Sequence, residues 1–110
     1  MTAIIALTTC PDEACAGTIA TALVTERLAA CVNRVPGVRS TYIWDGRLQD
    51  DAEVLLIIKT SDTLLAQVEA RLKALHPYEL PEWLVLRVEG GSQAYLDWLG
   101  AAVAQPKVTR

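Results

Sequence analysis

Asp45-Gly46 stands in the middle of the stretch ERLAACVNRVPGVRSTYIWDGRLQDDAEVLLIIKT, Glu26 to Thr60, between two segments rich in β-branched and aromatic residues. Asp-Gly supplies the positive φ angles of a tight type I′ turn, so the stretch predicts a β-hairpin. Its arms, Cys31 to Trp44 and Arg47 to Thr60, each run to about twice the ~5–6 residues of an ordinary strand. A ribbon of that length projects beyond a body of 110 residues, and its apolar faces require a partner.

A two-residue loop pairs Trp44 with Arg47, Tyr42 with Gln49 and Val38 with Glu53, and it puts Trp44, Tyr42, Val38, Leu55 and Ile57 on one face. Pro36-Gly37 interrupts the first arm. Proline cannot donate to a ladder and glycine invites a bulge, so a one-residue slip in register is expected below that point. Val54 to Ile58 is apolar on both faces, the pattern of a central strand covered by helices on one side and by another subunit on the other.

Before the hairpin, Thr2 to Thr9 is a short apolar, β-branched run, read as a buried central strand. Pro11 suits the first turn of a helix whose dipole Asp12 and Glu13 complement, and Cys15, Ile19, Ala22 and Leu23 recur at helical spacing, giving a helix from Pro11 to about Ala29. After the hairpin, Ser61-Asp62 caps a second helix with Leu64, Leu65, Val68, Leu72 and Leu75 as its core stripe and Glu69 with Lys73 as an i, i+4 pair. His76-Pro77-Tyr78-Glu79-Leu80-Pro81-Glu82 must end that helix, because each proline disfavours the α region in the residue before it. A strand from Trp83 to Val88, a break at Gly90-Gly91, a cap at Ser92 and a last helix carrying Tyr95, Leu96, Leu99 and Val103 precede the polar tail QPKVTR. The order β-α-β-β-α-β plus a C-terminal helix predicts a single-domain, ferredoxin-like α+β sandwich with an antiparallel sheet.

Composition narrows the function classes. The chain is 52% hydrophobic and 21% charged, as compact domains are, and its net charge of −3 argues against nucleic acid, whose binders cluster Lys and Arg against phosphates. No apolar run approaches the ~18–20 residues that span a bilayer, and the opening MTAIIALTTCPDEA has no basic n-region, so the expected compartment is the cytoplasm, with no membrane partner. Three cysteines, Cys10, Cys15 and Cys31, are an odd number without CxxC spacing and read as reduced thiols.

No HExxH, Gly-rich phosphate loop or GxSxG elbow occurs. His76, the only histidine, ends a helix, where an imidazolium would complement the dipole; ligation is the competing role, and one His needs a nearby Cys or a symmetric copy to complete a metal site. His76, Tyr78, Glu79 and Glu82 around two prolines resemble a rigid pocket rim. Cys31 reads as a small buried hydrophobe, and Cys10, near a helix N-terminus, as the more reactive thiol. Glu53 and Lys59 share one face of one strand, where a charge among apolar neighbours must find a partner or ligand, most simply across a subunit boundary. Trp44 and Arg47 are expected to make a cation–π staple across the turn, and Trp83 and Trp98 to sit in the core.

The block from Glu26 to Thr60, followed by LHPYELPE (Leu75 to Glu82), YLDWL (Tyr95 to Leu99) and the Pro11-Asp12-Glu13-Ala14 helix entry, resembles the CutA divalent-cation tolerance family over essentially the whole chain. The resemblance implies a homotrimer whose hairpins embrace neighbouring subunits, an architecture similar to PII-like signalling proteins, and a role in divalent-cation tolerance with copper binding and without an enzymatic reaction or a required cofactor. In some members of the family, a Cys near the end of strand one and a His pair just before Pro-Tyr are the copper ligands. Here His76 matches the second His, Leu75 replaces the first, Thr8 matches the Cys, and Cys10 lies two residues on. The metal residues expected are therefore His76 and Cys10, and the intersubunit pocket would be lined by Trp44, Glu53, Lys59, Tyr78 and Glu82. The rivals are an enzyme with Cys31 or Cys10 as nucleophile and His76 as base, and a PII-like regulatory trimer that binds a small molecule or a partner protein.

Overall fold

The computed structural model describes residues 1–108; the end of the polar tail, Thr109 and Arg110, lies outside the described residues. Its elements are β1 (Ala3–Cys10), α1 (Glu13–Thr25), β2 (Cys31–Trp44), β3 (Arg47–Ser61), a 3-10 turn (Asp62–Leu64), α2 (Leu65–Leu75), β4 (Leu84–Arg87) and α3 (Gln93–Ala104). The strands form one antiparallel sheet in the order β2-β3-β1-β4, the ferredoxin-like α+β arrangement that the sequence predicts.

The hairpin is as expected. Asp45 (φ 53) and Gly46 (φ 73) make the turn, and Trp44 pairs with Arg47, Tyr42 with Gln49 and Val38 with Glu53. Between Val35 and Val38 the register shifts, because Val35 pairs with Leu55 and Val38 with Glu53, so β2 spends one extra residue at Pro36-Gly37. Gly37 takes φ 79 there, a conformation that a side chain would strain.

β3 is central, with β2 on one side and β1 on the other. Alternation gives it two faces of different fate. Val54, Leu56 and Ile58 point with Ala6 and Cys10 of β1 into a core closed by Ala16, Ile19 and Leu23 of α1 and by Val68 and Leu72 of α2. Leu55, Ile57, Ile5 and Leu7 point the other way and stay half-buried, beside Leu84 and Leu86 of β4, which are 56% and 53% exposed. Lys59 on this second face lies 5.8 Å from the ring centre of Tyr95, so α3 covers one end of it.

Four local expectations change. α1 ends at Thr25 and not near Ala29: Arg27 adopts φ 58, its amide donates to the Val24 carbonyl at 3.1 Å, and the chain turns away into β2. At its start Asp12, not Pro11, marks the entry, accepting from the Cys15 amide at 2.8 Å. Ser61 caps the 3-10 turn, whereas Asp62 accepts from the Thr2 amide at 2.9 Å and ties that turn to the start of β1. Trp98 is 49% exposed beside Tyr95, 42% exposed, because among the described residues nothing packs on one face of α3; Trp83 does pack on the core margin.

Candidate functional site

The residues singled out in the sequence fall into three places. Glu53, His76, Tyr78 and Glu82 come together where the hairpin leaves the body. Trp44 and Lys59 each lie six residues from Glu53 or its partner position along the ladder, roughly 20 Å in opposite directions at the strand rise of ~3.3 Å per residue. Cys10 belongs to the core beneath.

The central group is held from three elements. Glu53 is only 7% exposed although it carries a carboxylate, and Tyr78 Oη donates to its Oε2 at 3.0 Å. Desolvation first, then this hydrogen bond and the Glu53 charge, push the Tyr78 phenol well above its ordinary range. Glu82 adds a second carboxyl whose partial burial, followed by repulsion from Glu53, raises its pKa above 4.5. Tyr42 Oη donates to Asp51 Oδ2 at 2.7 Å two residues further along the ribbon. The result is a carboxyl-rich patch braced by phenols, with the buried Glu53 side chain at its centre.

His76 is locked beside it. Its amide donates to the Leu72 carbonyl and closes α2. Its Nδ1 accepts from the Tyr78 amide at 3.1 Å, which leaves Nε2 as the N–H that donates to the Thr9 carbonyl at 2.7 Å. Both ring nitrogens are thus used by backbone groups, and the ring stacks at 4.7 Å on Tyr78. The expected imidazolium at the helix end gives way to a neutral ring that pins the Pro77-Tyr78 segment to β1.

Cys10 is wholly buried at the end of β1, and desolvation together with Cys15, Asp12 and Glu53 pushes its thiol up to about 12. The reactive-thiol reading of Cys10 therefore fails for a physical reason: the apolar core disfavours the thiolate more than the neighbouring helix N-terminus favours it. Cys15, half-buried in the first turn of α1, is also raised by desolvation. Two residues back on the same face, Thr8 Oγ1 is buried with no hydrogen-bond partner. Cys31 opens β2 half-exposed. Among the described residues the cation–π contact is Lys59 with Tyr95, not Trp44 with Arg47. Trp44 is 51% exposed, and Ile43 and Leu48 beside it are 72% and 74% exposed.

Sequence reasoning grouped His76, Tyr78 and Glu82 correctly as neighbours, since prolines confine them to one segment. It missed the Glu53 to Tyr78 bond, the Tyr42 to Asp51 bond and the orphan Thr8 hydroxyl. The doubly apolar run after Glu53 was the available signal for the first, because a carboxylate entering such a strand needs a donor. Among the described residues no group of three His, Cys, Asp or Glu side chains is arranged to hold a metal ion within one chain. Among the described residues no helix is long and apolar enough to cross a membrane.

Comparison with known proteins places this geometry. The divalent-cation tolerance protein CutA of Thermus thermophilus is 50% identical over 95 residues, 86% of this chain and 92% of that protein. Human protein CutA is 45% identical over 94 residues, 86% of this chain and 52% of that protein. Among solved structures, CutA from Xylella fastidiosa superposes with a TM-score of 0.91 at 41% identity, covering 94% of this chain and 99% of that one. The Thermus thermophilus structure gives a TM-score of 0.89 at 48% identity, covering 91% and 97%. The family model described as CutA1 divalent ion tolerance protein matches residues 4–102, from the second residue of β1 to within two residues of the end of α3, and the chain belongs to the CutA1 divalent ion tolerance family.

Proposed function

We propose that this protein acts without an enzymatic reaction in tolerance to divalent metal ions, as a cytoplasmic homotrimer that binds a cation such as copper, or a small ligand, in clefts between subunits. The carrying observation is separation: Trp44, Glu53 and Lys59 share one face of the ribbon yet are spread over roughly 40 Å of it, so one chain cannot gather them. A neighbouring copy laid along the ribbon brings its own Lys59 or Trp44 to the Glu53, Tyr78 and Glu82 group. The exposed Ile43 and Leu48 and the half-open apolar face of Leu55, Ile57, Leu84 and Leu86 supply the hydrophobic contact that such packing needs.

Cation binding at this group is supported by its composition, since among the described residues Glu53 is buried with a phenol and no cation beside it. A symmetric assembly arranged in the manner of PII-like signalling proteins would contribute the missing donors, including His76 and Cys10 if local rearrangement frees them. The names of the relatives, which describe tolerance to divalent cations, support this reading.

Light scattering and calorimetric titration test it together. The expected result is a mass of three chains at micromolar concentration, with Cu(II) or Zn(II) binding weakened in Glu53→Gln. A stable monomer removes the assembly. A trimer that binds neither ion at micromolar levels removes the metal ligand and leaves the assembly standing.

A further inference from the structure

On the helix side of the sheet, away from the cleft group, β2 is the outermost strand and its inner end lies against α1. Val32 and Arg34 pair with Ile58 and Leu56, whose side chains enter the core beneath the helices, so both β2 side chains leave the sheet on the same side as α1. The helix faces them with Gly17, Ala20, Thr21 and Val24, which recur at i, i+3, i+4 and i+7 along one stripe. Between the two elements runs a slot of about 300 Å³ lined by Ala20, Thr21, Val24, Thr25, Val32 and Arg34. The Thr25 hydroxyl turns back to the Thr21 carbonyl at 2.8 Å, so the walls are largely methyl groups and the guanidinium is the one charged group of the lining.

Glycine inside a helix is unfavourable relative to alanine, and at Gly17 the structure gives a steric reason for it. A Cβ there would stand 2.8 Å from Arg34 Nη1, so only a glycine lets the guanidinium rest on the α1 backbone, one turn before Ala20 and Thr21 and hence at the end of the slot. Among the described residues Arg39 and Arg71 are paired with Asp50 and Glu26, whereas no carboxylate stands within ion-pair reach of Arg34. A guanidinium presents a planar fork of N–H donors that matches a carboxylate with two parallel hydrogen bonds. The slot lies at the lower limit of the ~300–1,000 Å³ usual for ligand sites, room for a short apolar body and not for a nucleotide. We propose that Arg34, positioned by Gly17, and the slot between α1 and β2 bind a small monocarboxylic acid with a short, branched apolar tail. Its carboxylate takes the free fork of Arg34, and its tail is removed from water against Val24 and Val32.

This site shares no residue with the cleft group, so the two readings stand or fall separately. The isotope-labelled full chain is titrated with 3-methylbutanoate, and binding is read from amide shifts in the NMR spectrum. Saturable shifts are expected from Gly17 to Thr25 and from Val32 to Arg34, with the Glu53 and Tyr78 amides unmoved. Arg34→Gln, checked for folding by circular dichroism, is expected to weaken binding roughly tenfold to a hundredfold, the worth of hydrogen bonds to a charged group. Arg39→Gln is expected to leave it unchanged. Gly17→Ala supplies the readout that a merely structural glycine would not move: stability is not lowered, because the displaced atom is the end of a flexible side chain and alanine suits a helix, yet affinity falls about tenfold as the fork is pushed aside. The uncharged 3-methylbutanol and inorganic phosphate are each expected to bind at least about tenfold more weakly than the acid, since one lacks the charge and the other the tail. No saturable shift in the slot, or unchanged affinity in Arg34→Gln or Gly17→Ala, overturns the proposal. Phosphate binding as tightly as the acid also overturns it, leaving a bare anion contact in place of an organic-acid site.

Discussion

The two ends of β3 are built from the same kind of residue and meet opposite fates. At the inner end Val54, Leu56 and Ile58 are 5%, 0% and 0% exposed beneath α1 and α2, whereas at the outer end Leu48 is 74% exposed opposite Ile43 at 72%. The ladder itself is continuous from one end to the other apart from the bulge at Pro36-Gly37. Backbone pairing and strand propensity therefore do not distinguish the two regions. What differs is whether a second layer of this chain lies on the strand, and the contrast teaches that the outer ribbon is held by its hydrogen bonds and its turn, while the inner part is held by burial.

The sharpest way to break the contrast is to shorten the same side chain at each end. Leu56→Ala should cost about 2–5 kcal/mol of folding stability by leaving a cavity in the core, whereas Leu48→Ala should stay within about 0.5 kcal/mol for the isolated chain, as chemical denaturation would reveal. Equal losses at both positions would mean that the outer ribbon is as buried as the core in solution. Next in size, Thr8→Val keeps the shape of a fully buried side chain and removes a hydroxyl with no partner, and should raise stability by about 1–3 kcal/mol in the same assay. A loss instead would show that a water or neighbouring group satisfies that oxygen.

At the outer end, Gly46→Ala meets no atom within 4 Å but imposes a side chain at φ 73, so its penalty is conformational and about 1 kcal/mol. That should raise hydrogen exchange from Tyr42 to Gln49 about fivefold and leave the Leu56 region unchanged. The smallest effect belongs to Glu82. Its raised pKa means that the folded chain holds this proton more tightly than the unfolded chain does, so the associated stability is present below pH 4.5 and is withdrawn as pH rises through the raised value. Glu82→Gln should flatten that decline and increase stability at pH 7 by less than about 1 kcal/mol, since much of the side chain is exposed and screened. Denaturation midpoints from pH 3.5 to 7.5 would detect a difference of the opposite sign.

Legibility from sequence followed range. The turn at Asp45-Gly46, the bulge at Pro36-Gly37, the central place of β3, the Ser92 cap and the Glu69 to Lys73 pair, closed at 2.7 Å, all depend on residues within one or two elements and were readable. The site was readable only as a segment. His76 could be placed at a helix end, but the use of its ring was hidden because its partner, the Thr9 carbonyl, lies 67 residues away. The same holds for Glu53, whose phenol donor is 25 residues distant, and for Trp98, whose apolar spacing in α3 is real although this chain covers only part of that helix.

By itself, the order of residues determined the elements, their succession and the register of the long ribbon, because turn chemistry and side-chain period act over a few bonds. Only the tertiary structure decided that both ring nitrogens of His76 are engaged by backbone groups, that Glu53 is buried against Tyr78, and that the Thr8 hydroxyl is buried without a partner. Those outcomes depend on which backbone carbonyls and side chains from distant elements meet in a region short of water, where an unpaired polar group is costly and every donor must be assigned.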